Sequence, residues 1–138
     1  MLPTKEDLTM SLILICLFIA TLLPILAKAP LAMAMNKQQG GYDNRSPREQ
    51  QKTLSGFGAR AKAAHENSFE ALLMFTPGAL AVIATNSAGA MAEYAAMIFI
   101  SARIAYLLAY WYDLHLLRSI AWAAGFFASL SLILLAIP

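Results

Sequence analysis

The chain has 138 residues, 59% of them hydrophobic and only 13% charged, with a net charge of +2. A water-soluble domain is nearer half apolar and a quarter charged, so a globule of this composition could not cover itself with polar groups. The length allows one domain, 1–138, and the weak charge, with no basic stretch interleaved with aromatics, argues against nucleic acid as a partner.

Four apolar stretches follow in chain order. The first, about 8–28, begins at Leu8, carries Pro24 and ends at Lys28. Ala32-Met33-Ala34 has the small residues of a leader-cleavage site. However, Lys5 is accompanied by Glu6 and Asp7 and the apolar run is long for a signal core, so it is read as a retained span. Cys16, inside it, is read as a packed or lipid-facing thiol. A lone cysteine makes no internal disulfide, and no Cys/His cluster suggests a metal. A polar loop, about 36–58, comes next, with Gly40-Gly41, Asn44, Ser46-Pro47 and Ser55-Gly56 as turn formers. The second and third spans, about 60–85 and 90–112, are joined by a short turn at Asn86-Ser87-Ala88-Gly89. The fourth, about 116–137, follows a turn at Asp113-Leu114-His115. Each span is close to the ~20 residues that a ~30 Å hydrocarbon core requires, and none alternates like a barrel strand. The fold class is therefore an all-α integral membrane protein, a four-transmembrane-helix up-down bundle with antiparallel neighbours.

Orientation follows from the basic residues. Lys28, Lys37, Arg45, Arg48, Lys52, Arg60 and Lys62 flank or fill the long loop, and Arg118 lies by the last turn, which four spans place on the same side. That side is expected to be the cytoplasm.

Ionisable groups within spans mark functional sites by default, because lipid does not solvate them. On the second span Arg60, Asn67 and Glu70 fall in one helical stripe, while His65 points to another flank. Glu66 and Glu70 are like charges one turn apart and call for a nearby cation. Arg103, Tyr106 and Tyr110 share a face of the third span. Arg103 lies mid-helix, and Glu70 is its expected partner at matching depth. Glu93 is expected to be interfacial. Arg118-Ser119 opens the fourth span, where unsatisfied backbone N–H groups and the helix dipole favour an anion. The up-down topology brings Arg60, Asn67, Glu70, Tyr110, Arg118 and Ser119 to one depth, an arrangement suited to a polar anionic or zwitterionic ligand. The bland alternatives are snorkelling anchors for Arg60 and Lys62, and an aromatic belt for Trp111 and Tyr112.

The segment Arg60-x4-His65-x-Asn67-x2-Glu70, followed by Phe75, resembles the helix-two signature of the MAPEG family, membrane-associated proteins in eicosanoid and glutathione metabolism. Arg103-x6-Tyr110 and then Arg118-Ser119 are similar to its third- and fourth-helix pattern, and the wording from His65 to Leu72 looks like the bacterial branch. The resemblance implies a homotrimer of the bacterial inner membrane, surrounded by lipid, that takes glutathione as cosubstrate between subunits near the cytoplasmic face. It implies a transferase or peroxidase acting on a lipophilic electrophile or lipid hydroperoxide. Arg118 and Ser119 would be the catalytic pair beside the thiol. Arg60, His65, Asn67, Glu70, Arg103, Tyr106 and Tyr110 would line the glutathione site, with a first-helix cation from Lys28 or Lys37. The chain departs from the family pattern at Ala63, where glutathione-active members often carry an Arg, and at Tyr106, where several carry a His. These departures motivate a second hypothesis, a non-enzymatic trimer that binds a lipid or small amphiphile at the same interface.

Overall fold

The computed structural model describes residues 5–138, with side chains from Leu8 onward, so the leader charges Lys5, Glu6 and Asp7 lie outside the described side chains. It is helical: α1 (Lys5–Asn36), α2 (Pro47–Lys52), α3 (Gly56–Ala84), α4 (Ala90–Trp111) and α5 (His115–Ala136). Among them α1, α3, α4 and α5 are long and apolar enough to cross a membrane. The four form the expected bundle. α3 and α4 are central, each touching the other three long helices, while α1 and α5 flank them.

Burial is arranged for lipid. Leu8, Ile15, Phe18, Leu26, Leu73 and Phe127 are exposed on the outer surface, while small residues such as Ala20, Ala64, Ala71, Ala79 and Ala96 fill the interior. Small side chains let helix backbones approach where no hydrophobic driving force exists between helices. One close approach is at Gly78 on α3, where an added Cβ would lie 2.9 Å from Leu132 Cβ and 3.0 Å from the Ser129 carbonyl of α5. Phe75 of the sequence signature is fully buried and stacks on Phe99 of α4, centroids 4.0 Å apart and planes 8° from parallel.

Three boundaries differ from the sequence expectation. The first helix does not stop at Lys28 but runs to Asn36, through Pro24 and Pro30. Its buried side continues past Pro24 as Ala27 and past Pro30 as Leu31 and Met35, and the last two pack on Ala61. This tertiary contact outweighs the two missing backbone donors. Next, α3 starts at Gly56 rather than near position 60. Finally, the loop is not wholly irregular. Ser46-Pro47 serves as N-cap and first-turn proline of α2, a position where proline's missing N–H costs nothing.

Gln50 makes three of the hydrogen bonds that hold the loop, alongside Asp43, which accepts from the Arg45 and Ser46 N–H groups, and Gln38, which donates to Thr53. Gln50 Nε2 donates to the carbonyls of Met35 (3.1 Å) and Gly41 (2.8 Å), and its Oε1 accepts from the Asp43 N–H (2.9 Å). Gly40 and Gly41 supply the left-handed turn, with φ of 90° and 75°, which a side chain would strain. At the far end of the bundle Thr9 donates to Glu93 Oε1 at 2.7 Å, tying α1 to the first turn of α4.

Candidate functional site

The polar side chains of the spans gather toward the end of the bundle that carries the loop. Asn67 and Glu70 lie about 16 and 21 Å along α3 from its start. Asn67 Nδ2 donates to Glu70 Oε2 at 2.5 Å, and its Oδ1 accepts from Arg103 Nη2 at 3.0 Å. The same guanidinium nitrogen reaches the Asn67 carbonyl at 3.4 Å. Arg103 is only 3% exposed.

The expected direct ion pair between Arg103 and Glu70 is therefore not formed; Asn67 stands between them. At 100° per residue, Asn67 lies about 60° nearer than Glu70 to the buried side of α3, the side that faces α4. Glu70 stays at the surface, exposed.

From Arg103 the contacts continue along α4. Its guanidinium lies 4.1 Å from the Tyr106 ring centroid. Tyr106 meets Tyr110 edge-to-face at 5.2 Å, and the Arg118 guanidinium of α5 lies 4.6 Å from the Tyr110 ring. Glu70, Asn67, Arg103, Tyr106, Tyr110 and Arg118 thus form one connected series across three helices. Each cation–ring contact contributes about 0.5–2 kcal/mol depending on desolvation. Arg103 and Tyr106 are buried and form its inner part. Glu70, Asn67, Tyr110 and Arg118 reach the surface.

The remaining sequence candidates lie around this series. Arg60 Nη1 is 3.4 Å from Asp113 Oδ2 in the α4–α5 turn, so the start of α3 and the ends of α4 and α5 do meet. Arg60 Nε and Trp111 Nε1 are buried donors without an acceptor among the described residues. Ser119, exposed, gives its hydroxyl proton to the His115 carbonyl at 3.1 Å, within its own helix. His65 is on the other flank, as its helical position requires. Its Nδ1 is 2.9 Å from the Pro24 carbonyl; a carbonyl only accepts, so Nδ1 carries the proton and leaves Nε2 to the outside. Glu66 finds the cation that its like-charged neighbour calls for in Lys62, at 3.1 Å.

Sequence reasoning missed one feature. A cleft of about 390 Å³ opens between Arg48, Gln51 and Lys52 on one side and Lys62, His65 and Phe69 on the other. The signal for it was the N-cap and proline pair Ser46-Pro47 followed by Glu49 and Lys52 at helical spacing, which marks a helix able to carry Arg48 over α3. Of the two first-helix cations, Lys28 follows Pro24 by one turn and shares the His65 flank. Lys37 lines a separate cavity of about 380 Å³ with Met33 and Phe57.

The model of the MAPEG family matches residues 12–138. The chain belongs to the MAPEG family. None of the curated proteins or solved structures compared with it matches. MAPEG membership agrees with the four spanning helices and makes this a multi-pass integral membrane protein, related to glutathione-linked membrane enzymes.

Proposed function

We propose that this MAPEG chain is a glutathione-dependent membrane enzyme, a transferase or peroxidase acting on lipophilic electrophiles or lipid hydroperoxides. In this reading it works as a homotrimer in a bacterial inner membrane, with the 36–58 loop in the cytoplasm. The observation that carries the reading is the exposed Glu70 carboxylate, fixed by Asn67 well inside a spanning helix and linked through the interior to Arg118. A bare carboxylate at that depth costs several kcal/mol in lipid. A cationic ligand group and a second protein surface both remove that cost.

Glutathione fits the surface members of the series. Its amino group suits Glu70, whose one oxygen is engaged by Asn67 and whose other is free to accept. Tyr110 and Arg118 offer a phenol and a cation to the thiol end. Glutathione supplies the nucleophilic sulfur. Arg118 favours its thiolate form, since a nearby cation lowers a thiol pKa from its ordinary ~8.5. Arg103 and Tyr106, being buried, act as positioning residues: Arg103 sets the Asn67 amide, and Tyr106 carries the packing from Arg103 to Tyr110. Ser119 can donate to the sulfur after its hydroxyl rotates away from His115. The lipid-facing side of α5 brings the second substrate to the same end.

The experiment is a glutathione titration of detergent-purified protein, read by thermal shift and repeated with Glu70→Ala. Stabilisation of the parent and not of the variant supports the site. A parent that ignores glutathione but carries co-purified lipid overturns it in favour of an amphiphile-binding trimer.

A further inference from the structure

The four spans are not of equal length. Counted from Leu8, α1 has 29 residues and so has α3, while α4 and α5 have 22 each. At 1.5 Å per residue the shorter pair is about 33 Å long, close to the thickness of the hydrocarbon core, and the longer pair exceeds it by about 10 Å. The excess does not lie at the far end. There Thr9 is tied to Glu93 in the first turn of α4, and α3 passes into α4 by a short turn. It stands out at the loop end instead, beyond the Arg60–Asp113 pair that marks the level of the α4–α5 turn. The headgroup layer is about 5–8 Å deep on each side of the core, so the protruding turns cross it.

The side chains on these turns suit neither lipid tails nor water alone. Phe57 of α3 lies about 4.5 Å beyond Arg60 along the helix, yet is 43% exposed, and Met33 of α1 is 61% exposed. Both line the cavity of about 380 Å³ between the end of α1 and the start of α3, together with Lys37, Gln38, Leu54 and Ser55. Gly58 lets the two helices close on each other here, since an added Cβ would meet Leu54 Cδ2 at 3.0 Å and Ala34 Cβ at 3.4 Å. Lys37 is the one charged residue in the lining, and α3 carries no acid in its first turn. Lys37 makes no ion pair among the described residues, and the Ser55 hydroxyl does not cap its own helix. Gln38 is already engaged, donating to Thr53 at 3.1 Å. The cavity thus offers a free cation and a free hydroxyl beside two apolar side chains, at the depth where a phospholipid passes from tail to headgroup.

We propose that this notch holds the headgroup of one anionic phospholipid: Lys37 Nζ and the Ser55 hydroxyl donate to its phosphate oxygens, and Met33 and Phe57 cover its glycerol and first methylenes. A cation at the cytoplasmic surface is drawn to anionic lipid in any case. The cavity adds a place for a single molecule, and Lys37, one residue past the end of α1, fastens the base of the loop to the membrane surface. The inference is independent of the glutathione reading and survives its failure.

The test uses full-length protein in detergent, with phosphatidylglycerol added and the lipid bound per chain counted by native mass spectrometry. One tightly held phosphatidylglycerol per chain is expected, and phosphatidylcholine, whose headgroup carries its own cation, does not replace it. Any basic residue near a membrane surface strengthens anionic-lipid binding by about fivefold. Arg45→Ala, which removes an exposed loop cation outside the cavity, sets that baseline. Lys37→Ala exceeds it, lowering affinity about 10-fold or more through the loss of a charge-assisted hydrogen bond. Phe57→Ser weakens phosphatidylglycerol binding as well. Lys37 and Phe57 are both exposed, so the variants fold. Equal losses in Lys37→Ala and Arg45→Ala, or phosphatidylcholine held as tightly as phosphatidylglycerol, overturn the inference. Inorganic phosphate that displaces the lipid, with Phe57→Ser indistinguishable from the parent, makes free phosphate the occupant and overturns it too.

Discussion

Asn67 stands between Arg103 and Glu70, accepting from the guanidinium with its oxygen and donating to the carboxylate with its nitrogen. An amide does both at once, whereas a carboxylate only accepts and an ammonium only donates. The two charges are thereby coupled without touching, and the amide orientation that aims Glu70 is set from the interior.

Asn67→Ala is expected to lower stability by about 1.5–3 kcal/mol, because a buried guanidinium loses its side-chain acceptor. Asn67→Asp is expected to keep stability, since Arg103 gains a carboxylate, yet to lose glutathione binding, since Glu70 then faces a like charge one turn away. Thermal unfolding in detergent and glutathione titration of both variants separate the two effects.

Arg118→Ala is expected to slow turnover more than it weakens binding. On the proposed reading the bound thiol is expected to ionise below its ordinary pKa when Arg118 is present, so the rate should climb with pH through that lowered value. Without Arg118 the climb moves to higher pH, toward the ~8.5 of a free thiol. A pH–rate profile unchanged by the substitution would remove Arg118 from the role.

Gly78→Ala places a methyl 2.9 Å from Leu132 Cβ and 3.0 Å from a backbone oxygen, so α3 and α5 must part. The expected net loss is about 1–2 kcal/mol, overpacking set against the better helix propensity of alanine. Gly125→Ala is the control. Its new Cβ would meet Arg103 Cδ at 3.5 Å, an ordinary contact, and the melting temperature should hold or rise.

Asp113→Asn should change stability by less than about 1 kcal/mol, because the Arg60 pair is long at 3.4 Å and partly exposed. Asn also tolerates the left-handed backbone at this position, φ 61°. Asp113→Val, β-branched at the same φ, should lower the melting temperature clearly more.

The membrane fold was legible because apolar length alone sets it. The turns near Asn86 and Asp113, both with positive φ, were marked by their residue types. The end of α1 was hidden, since two prolines and a lysine look like a stop until Leu31 and Met35 are seen buried on α3. At the site, helical periodicity placed Asn67, Arg103, Tyr106 and Tyr110 correctly by face. It named Glu70 as the Arg103 partner where the structure has Asn67, because that distinction depends on 60° of rotation about an axis whose neighbours are tertiary. The Pro24 carbonyl under His65 was out of reach for the same reason: a backbone acceptor leaves no mark in a pattern of side chains.

Gln50 clasps two backbone groups of the loop, at Gly41 and Asp43, and one at the end of α1, the Met35 carbonyl. The loop therefore behaves as a detachable fitting whose shape is kept by a few polar side chains, Gln50, Asp43 and Gln38, rather than by the bundle. Residues around that clasp are free to vary without disturbing the lipid-embedded helices, so a new ligand preference can be acquired on the water side while the bundle stays as it is.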